Sequence, residues 1–128
     1  MSLRSPLSRV LGKGSAKEGT DHFWAQRLTA AALALLGLWF IISLLLNDIA
    51  EYTVLMQWIA RPWNSVLLLL LAVTLAWHSS LGVQVVIEDY VHGPFMKVCA
   101  LVLNKFAHIG VAAAAAFAVL KIAFGAAA

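Results

Sequence analysis

His78 stands inside an apolar run, and eleven residues later that run ends in the polar cluster Glu88-Asp89-Tyr90-Val91-His92. In a helix, eleven residues turn through almost three full turns and rise roughly 16 Å, which puts His78 and Asp89 on nearly one face. An imidazole at membrane depth costs free energy unless it is paired, buried or bound to a metal, so its position alone makes it a functional candidate. Four kinds of chemistry suit it: an axial bond to haem iron, a step in a proton relay, ligation of another metal, or a structural hydrogen bond to a carbonyl. Gly82 lies four residues on and about 40° round the helix, and it removes a side chain where a flat macrocycle would approach. Thr74, one turn back, is placed to reach the second ring nitrogen through a water. At the far end of this face, Asp89 and Tyr90 set a carboxylate beside a phenol, and Gly93-Pro94 breaks the helix directly afterwards. The bland reading is a helix terminus with an aromatic anchor. The chemical reading is a site for an amphipathic carbonyl ligand such as a quinone: the phenol donates to a carbonyl oxygen, and the carboxylate relays protons as that oxygen is reduced.

The other polar residues carry weaker signals. Arg27, after Asp21-His22-Phe23-Trp24, is expected at the cytoplasmic mouth of the first apolar run. There it either snorkels to phospholipid headgroups or holds a carboxylate in a bidentate pair. His108 follows Lys105 by three residues on one helical face, which suggests a wet helix end and an interfacial, structural histidine. It is the only in-chain competitor for a second axial position. His22 and His92 are expected at the interface and solvated. Cys99 is the only cysteine, so neither an internal disulfide nor an iron–sulfur cluster held by this chain alone is possible.

These residues must be carried by membrane-spanning helices. Of 128 residues 62% are hydrophobic and 12% charged, which excludes an ordinary soluble domain. Apolar runs from about Leu28 to Leu46, Trp63 to Ile87 and Phe106 to Phe124 place three spans at about 26–47, 63–88 and 98–125. Each reaches the roughly 17–25 residues that a helix needs to cross the hydrocarbon. A helix satisfies its own backbone groups there, and the period-two alternation of a membrane barrel is absent. Residues 1–20 read as a cytoplasmic N-terminal arm that docks on a partner, and residues 21–127 as a three-helix anchor domain. The arm lacks the apolar stretch of a secretory signal. Arg4, Arg9, Lys13, Lys17 and Arg27 precede the first span, and Lys97 and Lys105 flank the start of the third. The N-terminus and the 88–97 loop are therefore cytoplasmic, and the 47–62 loop and C-terminus lie on the other side. Trp24, Trp58 and Trp63 fall at span ends, where amphipathic rings settle. A net charge of +3 follows from this topology and gives no reason to invoke nucleic acid. Small residues on the first run (Ala30, Ala31, Ala34, Gly37) and the third (Gly110, Ala112 to Ala116) either pack these helices together or dock them on another membrane subunit.

The segment from His78 to Gly93, HSSLGVQVVIEDYVHG, resembles the second-helix signature of the small hydrophobic anchor subunit of succinate dehydrogenase, respiratory complex II. The family pattern is H-x3-G-x-x-Q-V-x-x-D-Y-V. His78, Gly82, Asp89 and Tyr90 match it, while Gln84-Val85 is offset by one place from the spacing in some members. Gly14-Ser15-Ala16-Lys17-Glu18-Gly19 and Trp24-Ala25-Gln26-Arg27-Leu28-Thr29-Ala30 look like the family's entry to its first helix. The likeness runs from about residue 6 to 124.

The resemblance implies an all-α membrane protein with three transmembrane helices and a cytoplasmic N-terminus, bundled with a partner membrane subunit. It implies a cytochrome b subunit as that partner, with iron–sulfur and flavoprotein subunits anchored by the pair. His78 would then be one axial ligand of a haem b shared with the partner. Tyr90 would hydrogen-bond ubiquinone, with Asp89 beside it for proton delivery, and Arg27 would lie near the haem propionates and the quinone pocket. Asp21-His22 departs from members with a histidine one place earlier, which puts a haem role for His22 in doubt. The expected function is that of a membrane anchor and haem- and ubiquinone-binding subunit of succinate:ubiquinone oxidoreductase, not catalytic alone, in a bacterial inner membrane or a mitochondrial inner membrane. The other readings are the anchor of a fumarate reductase, a small proton-conducting or transport subunit using His78 and Asp89, and a purely structural assembly partner.

Overall fold

The computed structural model describes residues 19–47 and 51–125, and among these every element is a helix. They are α1 (Gly19–Leu46), α2 (Tyr52–Ala60), α3 (Pro62–Tyr90) and α4 (Pro94–Gly125). Three of them, with 28, 29 and 32 residues, are long and apolar enough to cross a membrane. The arm expected over residues 1–20 lies outside the described residues except for its last two, which already belong to α1.

The helices overrun the apolar stretches, because hydropathy marks the hydrocarbon and not the helix end. The largest difference is in α4. It starts at Pro94, so Phe106 stands twelve residues inside it, roughly 18 Å from its first turn. Proline explains two of the boundaries. Arg61, directly before Pro62, is extended at φ −64° and ψ 127°, as a residue preceding proline prefers, and this turns the chain sharply from α2 into α3. Pro62 and Pro94 each begin a helix, where a missing N–H costs nothing. Asn64 Nδ2 donates to the Trp58 carbonyl at 2.8 Å and Ser65 Oγ to that of Ile59 at 2.6 Å, so the last carbonyls of α2 are satisfied by the helix that follows.

The short helix α2 was not anticipated. Nine residues cannot span a bilayer, so the 47–62 segment reads as a loop in sequence. The structure also corrects the expectation that Trp58 is an interfacial anchor. Its side chain is 4% exposed, stacked on Trp39 of α1 at 5.8 Å between centroids and tilted against Phe40 at 6.4 Å. These rings tie α2 to α1 at the end of the bundle away from Tyr90. Trp58→Ala is expected to cost about 3 kcal/mol, read as an earlier unfolding midpoint on titration with a denaturing detergent.

The long helices form an open array and not a closed triangle. α3 is central and packs against both α1 and α4; α1 and α4 do not approach each other among the described residues. Four of the buried side chains are polar (Thr29, Ser65, Ser80 and Asn104), against three apolar ones, Trp58, Ala76 and Leu81. Leu35, Leu45, Phe106 and Phe117 all point outward, each at least 69% exposed. Such an inverted distribution suits a bilayer, where apolar tails remove the hydrophobic drive and helices are joined by packing and interhelical hydrogen bonds. The small residues do not join α1 to α4: a Cβ added at Gly37 or Gly110 would meet nothing within 4 Å.

Candidate functional site

His78 lies sixteen residues into α3 and twelve before its end, near the middle of the span. Its partner is on α1. Thr29 Oγ1 stands 2.9 Å from His78 Nδ1 and is itself buried. The same hydroxyl lies 2.7 Å from the Ala25 carbonyl and 3.1 Å from that of Gln26, the back-bonding geometry of a threonine in a helix. Thr74, expected to reach this ring through a water, makes no direct hydrogen bond to it. His78 Nε2 has no hydrogen-bond partner among the described residues, and the side chain is half-buried. Beside it, a Cβ at Gly82 would meet no atom within 4 Å.

His108 is treated quite differently by the fold. Its Nδ1 lies 2.8 Å from the Asn104 carbonyl, which can only accept, so Nδ1–H donates. Its Nε2 then accepts from Ser79 Oγ at 3.1 Å. Asn104, 6% exposed, donates through Nδ2 to the Ser80 carbonyl at 3.0 Å. The bonds to Ser79 and Ser80 clasp α4 to α3 beside His78, while Asn104 Oδ1 is buried without a partner among the described residues. The expectation of a wet helix end is therefore corrected. His108 lies fourteen residues, roughly 21 Å, from Pro94 and level with Ser79. Its structural role stands, with both ring nitrogens engaged. Lys105 lies at a comparable depth and lines a cleft of about 310 Å³ between α3 and α4, together with Trp77, Ser80 and His108. Neither His78 nor Tyr90 borders that cleft.

Arg27 is also deeper than its sequence position suggested. It is the ninth residue of α1 and precedes Thr29 by two, hence within about 3 Å of the depth of the His78 bond. Two residues turn a helix by about 200°, so Arg27 points away from the α3-facing side. It is exposed, with its guanidinium over the Phe23 ring at 5.2 Å. The structure thus does not bring Arg27 and His78 together within this chain. His22, expected to be solvated, has a buried Nε2 without a partner among the described residues. Seven residues before Thr29, it shares that residue's side of α1.

At the C-terminal end of α3, Asp89 and Tyr90 are both exposed, Tyr90 at 78%. The turn beneath them is held firmly. Val91 N–H donates to the Ile87 carbonyl at 3.0 Å, and Lys97 Nζ to the Glu88 carbonyl at 2.7 Å. Gln84 donates to Glu88 Oε1 at 2.8 Å, which engages that carboxylate and leaves Asp89 as the acid facing outward. The arrangement offers a phenol donor and a carboxylate on a fixed helix end, open on the side that a partner would cover.

Residues 1–120 match the model of the succinate dehydrogenase/fumarate reductase transmembrane subunit family. The chain belongs to that family. Among curated relatives, the succinate dehydrogenase hydrophobic membrane anchor subunit of Paracoccus denitrificans is 30% identical over 95% of this chain and 94% of its own length. The subunit of the same name from Rickettsia bellii is 38% identical over 69% of this chain and 70% of its own. The succinate dehydrogenase membrane anchor subunit of Reclinomonas americana is 35% identical over 70% and 77%. No solved structure matches the chain significantly. As a member of that family, with three helices long and apolar enough to cross a membrane, the chain is a membrane subunit, and membership implies partner subunits. Membership displaces the transporter reading that the sequence left open. The residue that sequence reasoning missed is Thr29. Its one signal was a hydroxyl inside the apolar Leu28–Leu46 run, and nothing local to α1 says that it meets an imidazole 49 positions away.

Proposed function

We propose that this chain anchors succinate:ubiquinone oxidoreductase in the membrane, supplies one axial ligand to a haem b shared with a cytochrome b subunit, and forms part of the ubiquinone site. The observation that carries the reading is the contrast between the two intramembrane histidines. His108 spends both ring nitrogens inside the chain, whereas His78 spends one and keeps Nε2 available at mid-span, next to the empty flank of Gly82. The donor chemistry fits the group, since a neutral imidazole nitrogen is a haem ligand and a glycine flank admits a planar ring. One ligand per chain calls for a partner to supply the second. When bound, the haem supplies a one-electron carrier in the bilayer.

The chain's own residues do the remaining work. His78 would hold the haem iron through Nε2, and its ring is held against α1 by the contact of Nδ1 with Thr29. Tyr90 donates to one ubiquinone carbonyl, and Asp89, exposed at the cytoplasmic boundary, passes protons from water to the reduced oxygen. Iron–sulfur and flavoprotein subunits deliver the electrons of succinate oxidation to this end of the membrane domain. Arg27 adds a cation for the haem propionates or the quinone pocket. Its support is its depth in the cytoplasmic half of α1, where a charge needs a counter-group.

The test is the complex isolated from native membranes. It is expected to contain all four subunits, to show a low-spin bis-imidazole haem b spectrum and to reduce ubiquinone with succinate. A haem-free complex of full quinone reductase activity would overturn the haem assignment. Arg27→Leu is expected to shift the haem potential or to raise the apparent KM for quinone. If both stay at wild-type values, the arginine serves lipid headgroups.

A further inference from the structure

We infer that Thr29 is a positioning residue for the haem ligand: its hydroxyl fixes the tautomer of His78 and raises the donor strength of Nε2. The inference rests on the haem reading above and adds a residue on a different helix. Thr29 Oγ1 carries a single proton. Two backbone carbonyls, of Ala25 at 2.7 Å and Gln26 at 3.1 Å, compete for it, and neither can donate in return. The shortest of the hydroxyl's contacts is with the Ala25 carbonyl, so the proton points there. The contact with His78 Nδ1 at 2.9 Å then requires the proton to sit on Nδ1 and the lone pair on Thr29 Oγ1. The result is a directional chain, with Nδ1–H donating to the threonine oxygen and O–H donating to the Ala25 carbonyl.

This direction has a chemical consequence. A neutral imidazole carries one ring proton, so with Nδ1 protonated, Nε2 bears the lone pair. The opposite tautomer would protonate Nε2 and abolish ligation. Metal-binding histidines generally donate their second N–H to an acceptor that orients the ring and increases its basicity. Here the acceptor is a hydroxyl polarised by its own donation to a helix carbonyl. Thr29 is 4% exposed, so water does not substitute for it, and the bond couples the ligand's orientation to the packing of α1 on α3.

The experiment uses the assembled complex with Thr29→Val, Thr29→Ala and Thr29→Ser, beside His78→Leu. Valine keeps the shape and removes the acceptor; serine keeps the hydroxyl. Loss of the outer bond weakens the imidazole donor and favours the ferrous state. A change in ferric-over-ferrous preference of about tenfold is expected, an upward shift of about 59 mV for one electron. The electron paramagnetic resonance signal of the ferric low-spin haem should move with it. Thr29→Ser should return both to wild-type values. If valine disrupts assembly, the comparison of alanine with serine carries the same contrast. A potential and signal identical in threonine, serine, alanine and valine forms, while His78→Leu loses the low-spin haem, would overturn the role of Thr29 and leave the ligand in place. A low-spin haem unchanged in His78→Leu would overturn both.

Discussion

His78→Leu is expected to abolish the low-spin haem b spectrum of the assembled complex. Leucine is close to histidine in volume and suits lipid, so the helix should insert and pack as before; what disappears is the nitrogen. Even removal of an outer hydrogen-bond partner of a metal ligand typically costs about 10–100-fold in metal affinity or activity. Removing one of two axial ligands should cost more, leaving haem absent or high-spin. His108, the histidine level with it on α4, is not free to replace it. His108 would have to give up its donation to the Asn104 carbonyl within α4 and its bond from Ser79, which clasps α4 to α3. Optical and paramagnetic spectra of the purified complex measure the outcome, and succinate oxidation with an artificial dye checks that the flavoprotein remains docked. An unchanged low-spin spectrum would remove His78 as a ligand and make His108 the first suspect.

Tyr90→Phe is expected to lower succinate:ubiquinone reductase activity about tenfold, because about 1.4 kcal/mol of lost transition-state binding corresponds to that factor. A neutral hydrogen bond contributes about 0.5–1.5 kcal/mol net, and stranding a buried carbonyl costs more. The substitution keeps the ring and removes only the donor. It is also clean structurally, since Tyr90 is 78% exposed at the end of α3. Dye-linked succinate oxidation should be spared, because flavin chemistry belongs to another subunit. Equal loss of both activities would indicate failed assembly, and no loss of either would remove Tyr90 from the quinone site.

Much of the architecture was open to reading from the order of residues. Long apolar runs dictate helices because backbone groups have no other partners in hydrocarbon, and lysine and arginine placement orients them. The sharp corners at Pro62 and Pro94 are local consequences of proline sterics. His78, Gly82, Asp89 and Tyr90 stood out for the same reason: they lie on one helix, so their spacing already contains their relative depth. The features that escaped are those that depend on a second helix. Trp58 looked like an interfacial anchor because nothing in residues 47–62 says that α2 folds back onto Trp39 and Phe40. His108 and Lys105 looked peripheral because hydropathy dips around them, whereas α4 begins at Pro94 and seats Asn104 and His108 against Ser80 and Ser79.

Sequence by itself therefore determined that this is a three-span helical membrane protein with a histidine at mid-depth and an acid–phenol pair at the boundary, since hydropathy and helical periodicity are local properties. Only the tertiary structure decided which histidine is free. The register between antiparallel helices is set by interhelical hydrogen bonds that periodicity does not encode: α1 against α3 assigns Thr29 to one nitrogen of His78, and α4 against α3 brings Ser79 to Nε2 of His108, whose Nδ1 is already spent on the Asn104 carbonyl of its own helix.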